Sequence, residues 1–193
     1  MGRVFSTFAL VVLPLTVHLA ADGENPVAER EWIDAFIERA NQLYAPVDVS
    51  FKVAKTPTFE TPGPEITKVA ERHALAEHAE PDGSIHIFVV RRLADKKIPG
   101  KWISGVHWRY RGKNRKWKGR RYIILSRQAV RVDTPAHELG HYFGLGHVKN
   151  SKSLMKPIPR DQDASLLKWQ IRRVRKRLKW LIRRKVLKPL VGP

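Results

Sequence analysis

The sequence predicts an α/β domain, of the α+β kind, in which a twisted, mostly parallel sheet lies under helices and a small C-terminal part ends in a further helix. Three observations carry that expectation. Segments of helical spacing alternate along the chain with short apolar runs, the order of a sheet covered by helices. The 193 residues suffice for one hydrophobic core and fall short of two. Residues 134–147, TPAHELGHYFGLGH, open with helix-start residues and hold three histidines at a spacing that one helix and one bend would bring together.

From the N-terminus, Met1-Gly2-Arg3 places a positive charge before an apolar run over residues 4–17, interrupted by Ser6, Thr7 and Thr16 and followed by the small Ala20 and Ala21. That is the pattern of a cleavable secretory signal, here residues 1–21, with the folded domain expected over residues 22–193. The run, broken by Pro14, falls short of the roughly 20 residues a bilayer span needs, so no transmembrane segment is expected after cleavage. Export follows, to a periplasm or an extracellular space. The chain has no cysteine, which excludes disulfides, thiolate metal ligands and a cysteine latch, and suits a bacterial envelope or medium.

Trp32, Phe36, Ala40 and Leu43 recur at helical spacing until Ala45-Pro46 stops the helix. Val47, Val49, Phe51 and Val53 then alternate as in a half-buried strand, and residues 56–64 form a loop rich in proline and glycine. Residues 65–79 are predicted helical. Pro81-Asp82-Gly83 turns the chain into residues 85–90, IHIFVV, a strand buried on both faces in which His86 is a packed core residue. Residues 105–110 and 122–126 form two strands joined by a charged loop.

In the histidine segment, Thr134 suits an N-cap and Pro135 the first helical position. Residues four apart on a helix are offset by about 40° and about 6 Å, so His137 and His141 share a face and can share one ion. His147 lies ten residues beyond His137, about 15 Å along an unbroken helix, far outside the roughly 2 Å reach of a zinc–nitrogen bond. The chain must bend. Gly144 stands where a left-handed helix-ending residue is needed, and Gly146 adds freedom for the return path. Ala136, Leu139, Gly140 and Phe143 occupy the opposite face, for packing. Three neutral imidazoles leave tetrahedral Zn2+ one open position for water, the arrangement of a catalytic site. Glu138 is then the general base, taking the proton as water attacks a scissile carbonyl and passing it to the departing amine.

HELGHYFGLGH resembles the long zinc motif HExxHxxGxxH of the metzincin clan of metalloproteases, and Met155 in Ser153-Leu154-Met155-Lys156-Pro157 resembles its Met-turn. Spacing and flanks look closest to matrixins. The resemblance implies a zincin-like fold with an active-site helix, zinc held by His137, His141 and His147, Glu138 as catalytic base, Met155 as an apolar floor, and protein or peptide substrates. It also implies that residues 105–110 form the rim of the cleft and pair with extended substrate. His107 there is expected to pack at the rim rather than bind a second metal. Two positions depart from the pattern: Val148 follows the third histidine where several families have Ser, Thr, Asp, Glu or Pro, and Pro157 stands where some metzincins carry a tyrosine.

The net charge of +19 is concentrated in two segments. Residues 109–121 hold eight Lys or Arg and no acid, and residues 160–193 hold twelve against Asp161 and Asp163. The second segment predicts a basic C-terminal helix over residues 163–188, with Asp163 as N-cap and Leu167, Ile171, Val174, Leu178 and Leu181 as its apolar stripe. Trp169 and Trp180 flank that stripe. The shared charge of the two segments predicts attraction to an anionic surface or polymer, or to acidic substrates, and no motif that reads or stacks on bases is present. Two other functions fit the sequence: a zinc amidase acting on cell-wall peptides, and a basic envelope or nucleic-acid-binding protein with an inactive zinc site.

Overall fold

The computed structural model describes residues 10–23, 25–59, 64–128, 131–157, 161 and 163–190. In chain order these form β1 (Val11–Asp22), β2 (Asn25–Pro26), α1 (Arg30–Tyr44), β3 (Val49–Lys55), β4 (Thr58–Phe59), β5 (Glu65–Ile66), α2 (Val69–Ala74), β6 (Ile85–Val90), β7 (Arg92–Leu93), β8 (Gly105–Arg109), β9 (Arg121–Ser126), α3 (Thr134–Tyr142) and α4 (Lys168–Arg183). The predicted mostly parallel sheet is present. β1 pairs with β3 and β4 on one side and β6 on the other, β9 follows β6, and all these pairs are parallel. β8 closes the sheet antiparallel to β9.

Side chains alternate between two buried faces of the sheet. Ile85, Ile87 and Val89 of β6 join Ile123 and Leu125 in a core shared with α1, α3 and α4. Phe88 and Val90 point to the other face, where Tyr122, Ile124, Trp108 and Leu75 make a second cluster. A central parallel strand has two apolar faces, which is why β6 reads as an unbroken apolar run.

The same physics corrects the reading of residues 1–21 as a detachable leader. From Val11 onward that run is the longest strand of the sheet, paired on both edges, with Leu13, Leu15, Val17 and Leu19 in the main core. The apolar centre of a signal peptide and a strand buried on both faces are both mainly apolar, and the polar Thr16 and His18 of β1 are buried as well. Pro14 fits because it precedes the pairing with β6, which begins at Leu15, and on that side residues 11–14 meet only the isolated bridge of Val12 to Leu190, so a missing N–H is tolerated. β1 is thus part of the domain, which begins before residue 22. Residues 1–9 lie outside the described residues. Among the described residues no helix is long and apolar enough to cross a membrane.

Two helix expectations change in extent. Residues 65–79 divide into β5, which pairs with β7, then α2 and a 3-10 turn over Leu75–Glu77. The division point is chemical: the Glu71 carboxylate accepts the N–H groups of Thr67 and Lys68, capping a helix that starts only after β5. α4 begins at Lys168, not after Asp163, with Leu167 as its N-cap residue and the Gln170 side chain accepting the Leu167 N–H. The chain before it is held in extended pairing, Ser165 N–H donating to Lys152 O and Leu154 N–H to Ser165 O. The predicted stripe is otherwise correct, with Val174, Leu178 and Leu181 buried and Leu167 and Ile171 half-buried. Leu187 is also core, and Leu190 N–H donates to Val12 O, so the basic tail is woven into the fold.

His18 of β1 and His86 of β6 form a buried neutral pair. His18 Nε2 lies 2.9 Å from His86 Nδ1, and His86 Nε2–H donates to Glu80 O at 2.7 Å. The His18 ring stacks on Phe88 with centroids 4.3 Å apart. Burial, then repulsion from His86 and His78, lowers its pKa from 6.5 to about 3, against a weaker opposite pull from Asp82. The unfolded chain therefore binds this proton more readily. The stability His18 contributes is full above pH 6.5 and is lost as pH falls from there toward 3. Thermal melts across this range are expected to fall more steeply for the native chain than for His18→Gln, which keeps a polar side chain without the titration.

Candidate metal centre

α3 starts one residue earlier than the sequence suggests, with Asp133 as the N-cap residue and Thr134-Pro135 in its first turn. Its end is where the site is made. Gly144 has φ 84°, Leu145 N–H donates to Gly140 O and Gly144 N–H to His141 O, both at 2.9 Å. These two bonds are the Schellman arrangement, in which a left-handed residue satisfies the last carbonyls and reverses the chain. Gly144 is the bend His147 requires. Gly146 is not in the left-handed region, and a Cβ there would meet nothing within 4 Å, so the return path does not depend on it.

The bend brings the three histidines together. His147 Nε2 lies 3.2 Å from His137 Nε2 and 3.0 Å from His141 Nε2. His137 Nδ1–H donates to Leu154 O at 2.7 Å and His141 Nδ1–H to Leu145 O at 2.8 Å. A carbonyl only accepts, so both neutral rings carry their hydrogen on Nδ1 and turn Nε2, the nitrogen with the lone pair, toward the same space. A cation serves all three: nitrogens about 2.0–2.1 Å from a tetrahedral zinc lie about 3.3 Å apart, close to these separations. Burial lowers the pKa of both His141 and His147, keeping the imidazoles neutral as ligation requires. Among the described residues this is the one group of three such side chains able to hold a metal ion.

The floor is built by the segment with Met155. Leu154 supplies the carbonyl that orients His137, and Met155 O accepts Val148 N–H, tying the strand after His147 to the same segment. Ser153 Oγ accepts Met155 N–H and donates to Gln170 of α4, fixing the loop from below. Met155 is fully buried, and a Cβ on Gly140 would lie 2.3 Å from its sulfur. The sequence marks Gly140 only as a packing position; the contact shows that it must lack a side chain. Gly140→Ala is expected to cost about 1–3 kcal/mol by overpacking and to loosen the floor. Gly144→Ala, with open space around the new methyl, is expected to cost about 1–2 kcal/mol by backbone strain alone. Denaturant titrations would measure both, with zinc affinity expected to fall further in the Gly140 variant.

Glu138 is buried and lines the cleft between the histidines and β8. Its Oε2 accepts the His107 backbone N–H at 2.7 Å. Behind α3, the Tyr44 hydroxyl donates to Ala136 O, and burial together with the nearby Glu138 charge holds that phenol well above its usual pKa. Sequence reading missed three of these supports: the His107 N–H, the Leu154 carbonyl and Tyr44. Two are backbone groups, which no residue type announces. His107 packs edge-on against Tyr142 and lines the cleft, the rim role expected of it. The cleft encloses about 710 Å³ and is lined by the histidines, Glu138, Gly105, Val106 and Pro157.

Solved structures of similar fold include a bacterial metalloproteinase. Archaemetzincin from Methanopyrus kandleri is 19% identical, with TM-score 0.56 over 86% of this chain and 96% of that one. Metalloproteinase-II from Bacteroides fragilis is 15% identical, with TM-score 0.58 over 89% and 55%. Mature mirolysin from Tannerella forsythia, solved with a cleaved peptide, is 11% identical, with TM-score 0.57 over 94% and 100%. At these identities the likeness is one of fold. A search of curated proteins finds no significant match. None of these likenesses carries the leaning toward matrixins. The Reprolysin_5 model, described as metallo-peptidase family M12, matches residues 7–168, a span that takes in β1, the three histidines and Met155 alike, and the chain accordingly belongs to that family of zinc metallopeptidases.

Proposed function

We propose that this metallopeptidase is an endopeptidase whose zinc ligands are His137, His141 and His147 and whose general base is Glu138. The observation that carries the reading is the convergence of three imidazoles whose ligand atoms all lie within 4.8 Å of one another, two of them turned by backbone carbonyls that hold their Nδ1–H. When bound there, zinc supplies Lewis-acid polarisation of the scissile carbonyl and acidifies water at its open position. Glu138, held against β8 by the His107 N–H, receives the proton of the attacking water and gives it to the departing amine. The Leu154 and Leu145 carbonyls keep the His137 and His141 rings in the ligating tautomer and orientation.

β8 supports a polypeptide substrate over a cell-wall cross-link. It is the last strand of the sheet and borders the cleft beside Glu138, so an extended chain can add to its free edge. The retained Glu138 argues against a purely binding role. Incubation with an unfolded protein and with peptidoglycan, each with and without a chelator, tests the reading. Chelator-sensitive internal cleavage of the protein is expected; release of cell-wall peptides with the protein left intact would overturn it in favour of an amidase.

A further inference from the structure

The two basic segments, far apart in sequence, meet in the fold. Arg109, Lys116, Lys118 and Arg121, from β8, β9 and their connection, face Arg184 and Lys185 at the end of α4 across a cavity of about 500 Å³. Among the described residues one acid, Glu80, lines it, and Glu80 already pairs with Arg120 at 3.4 Å. Arg109 and Arg121 also line an adjoining recess of about 570 Å³ with Lys96 and Arg111, and no acid lines that recess. Val106 and His107 border both the recess and the catalytic cleft. One basic path therefore runs from Glu138 along β8 to α4.

Among the described residues no acid pairs with Arg109, Arg111 or Arg121. Arg121 is half-buried, with Arg177 and Arg109 as its charged neighbours, and burial and their repulsion lower its pKa. Arg177, which lies beside the path rather than lining it, has its Nε buried with no hydrogen-bond partner among the described residues and its guanidinium over Trp180 at 4.2 Å. Like charges crowded around a half-buried guanidinium repel one another until a counter-charge arrives.

We propose that this path is a substrate exosite for acidic polypeptide segments, so that the enzyme prefers chains with a run of Asp or Glu beside the scissile bond. This rests on the peptidase reading of the cleft. The path is concave and continuous with the cleft along a free strand edge, which suits an extended polypeptide better than a flat lipid surface. Arg109 and Arg111 follow His107, whose N–H holds Glu138, by two and four residues, so the acidic run lies a few residues along an extended chain from the cleaved bond.

Three peptides with one scissile sequence decide it: neutral, acidic on the N-terminal side, and acidic on the C-terminal side. One acidic peptide is expected to exceed the neutral one in kcat/KM by about tenfold at low salt, with the advantage gone at high salt. In the doubly substituted Arg109→Glu/Arg111→Glu chain, both exposed positions, the acidic-to-neutral ratio is expected to fall to one or below. Equal rates for all three peptides, or a preference that survives the double substitution, would overturn the exosite. Fluorescence anisotropy of the same peptides on Glu138→Gln separates the two levels, because it reads the exosite even where no peptide is cleaved. If single-stranded DNA or anionic vesicles bind through Arg109 and Arg111 while the acidic peptides gain nothing, the path belongs to that polyanion and the proposal fails.

Discussion

Glu138→Gln is expected to retain one zinc per chain and to lose peptide cleavage by about 10²–10⁴-fold in kcat. The amide keeps the shape of the carboxylate and an oxygen to accept the His107 N–H, so β8 and α3 keep their separation. It cannot take up the proton of the attacking water. His147→Ala is the contrast: it removes the nitrogen 3.0–3.2 Å from the other two, and zinc and activity should be lost together. Metal analysis of the purified chains and steady-state kinetics on one peptide separate these outcomes. Cleavage by Glu138→Gln at the native rate would end the assignment of the base.

Removal of residues 1–21 is expected to prevent folding. Leu13, Leu15, Val17 and Leu19 are buried in the main core, and at about 1.5–3 kcal/mol each their loss removes roughly 6–12 kcal/mol of burial. That is the size of the whole net stability of an ordinary domain, about 5–15 kcal/mol. The sheet would also lose its centre, leaving β3 and β4 with no partner joining them to β6. Circular dichroism and limited proteolysis of the 22–193 fragment check this. A fragment that melts cooperatively and binds zinc would show that β1 is dispensable and restore the leader reading.

The comparison of these two regions shows where sequence reading holds. In HELGHYFGLGH every relation that matters spans ten residues or fewer: the four-residue helical spacing of His137 and His141, and the left-handed Gly144 that turns the chain toward His147. Such relations follow from helix geometry and from the absence of a Cβ, so the residues themselves determine them. Residues 11–22 offered no such relation. Their composition is common to an exported leader and a strand covered on both faces, and the difference lies in partners supplied by β3, β4 and β6. Asp163 failed as a cap for the same reason, because Ser165 is drawn back to Lys152 and Leu154.

What the sequence by itself determined about this protein is the metal-binding constellation, the mostly parallel sheet under helices, and the excess of positive charge, since each is written in local spacing or composition. What only the tertiary structure decided is which backbone groups hold the site, Leu154 O behind His137 and His107 N–H on Glu138, and that residues 109–121 and the end of α4 make one basic path reaching the cleft. A carbonyl or an amide has the same chemistry at every position, and two charged segments some sixty residues apart have no relation until the fold sets them side by side. Long-range proximity is a property of the packed chain, and here it decides how the three histidines are held and which charged segments border the cleft.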